Sequence, residues 1–103
     1  MNAIIEQHRP ELGELAVKHG VRRLAIFGSA LTPLFDPTSS DIDVLVEFRS
    51  MPPAERADAY FGLLEDLERL FGRPVDLVEP SALRNPYVRQ AVEASRVVLY
   101  EAA

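Results

Sequence analysis

The sequence predicts an α/β (α+β) fold, a small mixed β-sheet flanked by helices, in one domain spanning residues 1–103. Three observations carry this reading. Helix-spaced apolar stretches alternate along the chain with short apolar runs rich in β-branched residues. Gly20, Gly28 and Gly72 each stand at a junction where one such stretch stops and the next begins. A chain of 103 residues, 48% of them hydrophobic, is long enough for one real core and short for two.

Ile4, Ile5, Leu12, Leu15 and Ala16 lie at helical spacings over residues 3–19, and Pro10 suits the opening of a second helical piece. RRLAIFG (22–28) reads as a buried strand ending at Gly28-Ser29, with Ser29 placed to cap a short following helix. TPLFDPTSS (32–40) has loop chemistry, with two prolines and clustered hydroxyls. DIDVLVEF (41–48) is the clearest strand. A long helix opens near Pro53, carries Leu63, Leu64, Leu67, Leu70 and Phe71 on an apolar stripe, and stops at Gly72. RPVDLVE (73–79) is a third strand. Ser81 is the expected cap of a last helix containing Tyr87, Val88, Ala91 and Val92, before a final strand over Val97 to Tyr100.

Composition narrows the function classes. The formal net charge of −5 opposes nucleic-acid binding driven by phosphate neutralisation, so direct nucleic-acid binding is not expected. The longest apolar runs fall far short of the ~20 residues that cross a bilayer, and the N-terminus lacks the apolar core of a signal peptide, which together predict a cytoplasmic protein. Without cysteine the chain has neither disulfides nor thiolate metal ligands.

The chemistry concentrates in carboxylates. On a strand, residues i and i+2 project to one face about 6.5–7 Å apart, so Asp41 and Asp43 point together while Ile42, Val44 and Val46 point away. Like charges so placed raise one another's pKa unless a cation joins them, and magnesium prefers one or two carboxylates plus phosphate oxygens. Asp76 stands inside the otherwise apolar Pro-Val-Asp-Leu-Val run. Were its strand adjacent to that of Asp43, the three carboxylates would form a cluster able to hold two divalent ions. Taken alone, Ser-Ser-Asp before a strand is also ordinary turn chemistry, and Asp76 also fits a solvated strand edge. The order of the pieces is more specific: strand, Gly-Ser, loop, Asp-x-Asp strand, helix, Asp strand.

That order resembles the DNA polymerase β-type nucleotidyltransferases, specifically their minimal members of about 100 residues, the MNT proteins. The resemblance maps to Gly28, Ser29, Asp41, Asp43 and Asp76, and extends through LAIFGS, SDIDVLVEF, PVDLVE and the C-terminal LRNPYVRQAVEASRVVLYE. It implies the polymerase β-like nucleotidyltransferase fold, with Gly28 and Ser29 holding the nucleotide's phosphates. Asp41, Asp43 and Asp76 become the catalytic metal ligands for two Mg2+ ions, and ATP the substrate. It further implies transfer of AMP to a partner hydroxyl, in an antitoxin paired with a helical HEPN ribonuclease toxin and hence in a hetero-oligomer. A second reading is a catalytically weak or inactive antitoxin that neutralises the HEPN partner by complex formation alone.

Two departures bear on that choice. Thr32 and Pro33 stand where many family members carry Arg and Gly, and eleven residues instead of ten separate Ser29 from Asp41. Arg22, Arg23 and Arg49 are the candidate replacements for the missing cation. His8 and His19 lack metal-ligand spacing, Tyr60, Phe61 and Phe71 read as core or interface, and the charges of EDLER read as a solvated helix face.

Overall fold

The computed structural model describes residues 3–28 and 41–102. The chain begins with α1 (Ala3–Gln7) and α2 (Arg9–Lys18), where Pro10 falls in the first turn and its missing N–H removes no intrahelical bond. Gly20 adopts φ 70°, in the left-handed region, and turns the chain into β1 (Val21–Phe27). β2 (Ile42–Phe48), α3 (Pro53–Phe71), β3 (Val75–Val78), a 3-10 turn (Pro80–Ala82), α4 (Pro86–Ser95) and β4 (Val97–Glu101) follow. The short helix expected after Ser29 falls outside the described residues.

The cap of α4 corrects the sequence reading. Ser81 lies in the 3-10 turn, and Asn85 is the cap instead, its Oδ1 accepting the N–H groups of Tyr87 (2.9 Å) and Val88 (3.3 Å). Pro86 decides the matter, because its fixed φ suits the first helical position and leaves Asn85 as the half-in residue before it.

The strands form one mixed sheet in the order β3-β2-β1-β4. β1 pairs antiparallel with β2 and β4, whereas β2 and β3 are parallel because α3 carries the chain back between them. Alternation along the strands separates two apolar layers. Leu24, Ile26, Ile42, Val44, Val46, Val75 and Leu77 pack with Ile5, Leu12, Ala16, Leu63, Leu67 and Phe71 of the helices α1 to α3. On the opposite face Ala25 and Leu45 pack under Val92 of α4, with Phe27, Val78 and Leu83 around them. The first layer is the main core; truncating a fully buried member such as Leu67 to Ala costs about 2–5 kcal/mol in general.

Charged side chains tie the far end of the second face. Glu47 on β2 receives Arg22 (2.7 Å), Arg23 (3.2 Å) and Arg96 (3.6 Å). Arg23 also reaches Glu101 (2.8 Å), and Arg96 reaches Glu93 (3.1 Å). The exit of α4 and the end of β4 are thereby joined to the central strands.

Another polar joint docks α2 on α3. The His19 ring lies against Gly62, where a Cβ would approach Cε1 to 2.9 Å, and its Nε2–H donates to Asp66 Oδ2 at 2.7 Å. Lys18 donates to the same oxygen at 3.0 Å. Glu68 turns back to accept the Val75 N–H at 3.0 Å. The EDLER charges are therefore only partly a solvated face: Glu65 and Arg69 pair in solvent, while Asp66 and Glu68 hold other elements.

The hydrogen bond from His19 first, and that from Lys18 second, hold the Asp66 carboxyl below its ordinary pKa. A depressed carboxylate stabilises fully above the unfolded pKa of about 3.9, and that contribution vanishes as pH falls through the lower folded value. Asp66→Ala is expected to lower the Tm at pH 7 by about 5 °C. In thermal melts followed by circular dichroism, the gap from wild type should narrow only below about pH 4.

Candidate active site

Parallel pairing of β2 with β3 puts Asp43 and Asp76 at directly opposed register positions. Each is the second residue of its strand, and neighbouring strands lie about 4.8 Å apart, so the two carboxylates share one face of the sheet as neighbours. Asp41 stands two residues before Asp43, just ahead of β2 and exposed, with the buried Ile42 pointing to the opposite face. Asp43 is half-buried, and burial pushes its carboxyl above the ordinary carboxylate value; repulsion from Asp76, then from Asp41, adds to the shift.

The end of β1 closes on the same carboxylate. Phe27 is the register partner of Asp43, and Gly28 follows at φ 74°. A Cβ on Gly28 would overlap Asp43 Oδ2 and lie 3.2 Å from its Cγ. Glycine is required here twice over, by the left-handed backbone and by the close approach of Asp43. Ser29 lies outside the described residues.

The donor set fits a hard divalent cation. It is all oxygen, two of its members oppose each other across adjacent strands, and one is destabilised in its charged form by the others. Among the described residues no three His, Asp or Glu side chains already converge into a metal-binding group, so the trio shares a face and not yet a coordination sphere. Grooves of about 410 Å3, lined by Met51, Arg56, Tyr60, Phe61 and Glu79 among others, and about 460 Å3, between α2 and α3, contain none of the three aspartates.

The candidate replacement arginines are elsewhere. Arg23 faces Glu47, four residues along β2 from Asp43 and roughly 13 Å away at the ~3.3 Å rise of a strand, and Arg22 binds Glu47 as well. Arg49 follows the end of β2, its backbone N–H donating to the Gly20 carbonyl at 2.8 Å. Arg22 and Arg23 therefore fix the sheet and do not face the carboxylates.

Sequence reasoning missed the packing of Gly28 on Asp43 and the hydroxyl of Tyr60. The latter donates to the Leu77 carbonyl beside Asp76, and burial first, then Asp76 and Glu79, push the phenol upward. Only the register of β3 against α3 reveals that contact, and no local pattern in the sequence encodes it.

Replacing Asp43 by Asn removes the like charge while keeping the shape. In EDTA-treated protein, Asp43→Asn is expected to raise the Tm by about 2–5 °C, as substitutions that relieve functional strain do. A lower Tm would show that Asp43 stabilises the cation-free fold. Gly28→Ala is expected to destabilise by about 1–2 kcal/mol in urea titrations, and by less in an Asp43→Ala background, where the clash is gone.

The model of the nucleotidyltransferase domain family matches residues 5–99. A Methanocaldococcus jannaschii protein provisionally named a protein adenylyltransferase is 38% identical over 90 residues, covering 87% of this chain and 85% of the relative. The protein adenylyltransferase MntA of Thermococcus cleftensis is 35% identical over 85 residues, covering 82% and 79%. A solved structure provisionally described as a minimal nucleotidyltransferase superposes with TM-score 0.68 at 27% identity, over 94% of this chain and 95% of that one. A chain from the complex of the tri-AMPylated Shewanella oneidensis HEPN toxin with its MNT antitoxin shares the fold, with TM-score 0.60 at 20% identity over 94% of this chain and 72% of that one. With its mixed four-stranded sheet, its opposed aspartates and a family match over most of its length, this chain belongs to the nucleotidyltransferase domain family.

Proposed function

We propose that this chain is a metal-dependent protein adenylyltransferase that moves AMP from ATP to a hydroxyl of a helical HEPN toxin, and so acts as its antitoxin. The observation that carries the reading is the opposed pair Asp43–Asp76, with Asp41 on the same face and Gly28 pressed against Asp43, in a member of this family. The relatives' names, a protein adenylyltransferase and an AMPylated HEPN toxin with its MNT antitoxin, support the transferred group and the kind of partner.

In this reading Asp41, Asp43 and Asp76 would hold two Mg2+ ions, which would supply charge neutralisation at the phosphate oxygens and polarisation of the α-phosphorus. Gly28, lacking a side chain, lets the backbone approach the phosphates, and Ser29 offers a hydroxyl and an amide. Asp76, exposed on its edge strand, takes the proton of the acceptor hydroxyl. The acceptor oxygen forms a bond to the α-phosphorus, the bond from that phosphorus to the bridging oxygen breaks, and pyrophosphate leaves with the electron pair. A cytoplasmic setting, where ATP and Mg2+ are abundant, completes the reading, and no helix among the described residues is long and apolar enough to cross a membrane.

One sequence observation favours the second reading, neutralisation by complex formation. Thr32 and Pro33 occupy positions where a cation is common, and Arg22 and Arg23 are engaged elsewhere.

Label transfer separates the two. With α-labelled ATP, Mg2+ and a HEPN protein, the wild type is expected to label the HEPN chain, and Asp43→Asn to reduce the rate at least 100-fold. Neutralisation of the toxin by Asp43→Asn without any label would instead establish the binding-only reading.

A further inference from the structure

Asp76 stands on an edge strand of the sheet. It lies at the centre of a four-residue strand on the edge of the sheet, exposed, with β2 on one side only. Edge strands present unpaired backbone groups and are the easiest part of a sheet to displace. Here the residues on either side of Asp76 are gripped from the free edge by α3. The Glu68 carboxylate accepts the Val75 N–H at 3.0 Å, and the Tyr60 hydroxyl donates to the Leu77 carbonyl. Both bonds are part-buried, and the two residues sit eight apart on one helix, close to two turns and hence on one side of it. Val75 and Leu77 also bury their side chains against this helix, so α3 fixes the strand through packing and backbone together.

We propose that Tyr60 and Glu68 are positioning residues for the transfer reaction, a two-point clamp that straddles Asp76 and sets its carboxylate opposite Asp43. This rests on the reading of Asp76 as part of the transferase site, although the clamp is a statement about β3 that stands by itself. Neither clamp residue touches the reacting groups. Their contribution is to hold the backbone of β3 in the register that brings Asp76 to Asp43, so losing either loosens one carboxylate and leaves Asp41, Asp43 and Gly28 in place.

The tests are Tyr60→Phe, which keeps the ring and deletes one hydroxyl, and the pair Glu68→Leu and Glu68→Gln, of which only Gln retains an acceptor. Amide hydrogen exchange of the full chain reports the clamp without any requirement for activity. Exchange at Asp76, Leu77 and Val78 is expected to accelerate about 5–10-fold in Tyr60→Phe and Glu68→Leu, with β1 unchanged and Glu68→Gln close to wild type. Unchanged exchange across β3 in both variants would overturn the clamp. In label transfer from α-labelled ATP to a HEPN protein, the same two variants should lose about 5–10-fold in kcat with KM for ATP unchanged, and Glu68→Gln should restore kcat. Equal changes in KM and kcat, unrescued by Gln, would show general loosening and overturn the positioning role. Faster β3 exchange in a chain that transfers no label would leave the clamp standing and remove the transferase reading.

Discussion

The structure turns on a repulsion that the backbone enforces. Parallel pairing of β2 with β3 places Asp43 and Asp76 side by side, and Asp41 sits two residues away on the same face. Burial and the two neighbouring charges work together against ionisation of Asp43. A fold selected for stability alone would not put three acids there. The apolar layer beneath absorbs the cost: Ile42 and Val44 flank Asp43 in sequence and are completely buried on the opposite face. The strand is therefore anchored by its apolar side while its acidic side is strained, an arrangement that a divalent cation would relieve.

The remaining polar groups divide by position. At the far end of the sheet, Glu47 gathers Arg22, Arg23 and Arg96, so the arginines of β1 neutralise a structural carboxylate and are absent from the acidic end. On the reverse side, His19 and Asp66 join two helices over Gly62. The arginines of β1 are thus spent on assembly, while Asp43, Asp76 and Asp41 repel one another and set a local negative field at the other end of the strands. For binding a nucleotide triphosphate, such a field is favourable only with cations between protein and phosphate.

Much of this was legible in the sequence, for identifiable reasons. The alternation of Ile42, Val44 and Val46 with Asp41 and Asp43 declares a strand with one acidic face, and burial of the three aliphatics bears that out. The mixed sheet followed from helices alternating with strands, and Gly20 and Gly72 stand where the backbone turns left-handed. What escaped depended on distant parts of the chain. Ser81 was a reasonable cap by type, yet Asn85 before Pro86 is the better one, since proline at the first helical position dictates where the helix starts. EDLER read as a solvated face because its spacing says nothing of His19, more than forty residues earlier, or of the turn that brings Val75 back to Glu68. The close approach of Gly28 to Asp43 and the Tyr60 hydroxyl on Leu77 are likewise products of strand register. Of the two phosphate-binding candidates, Gly28 packs on Asp43, and Ser29 lies outside the described residues.

The central claim is that the face shared by Asp41, Asp43 and Asp76 is a divalent-cation site. Titration of the 15N-labelled protein with Mn2+, read as paramagnetic broadening of amide resonances, tests it most directly. The account predicts broadening that begins at Gly28, Asp43 and Asp76, spreads outward from them, and is abolished in Asp43→Asn. Broadening centred instead on the solvated carboxylates of α2 and α3, or persisting unchanged in Asp43→Asn, would contradict it.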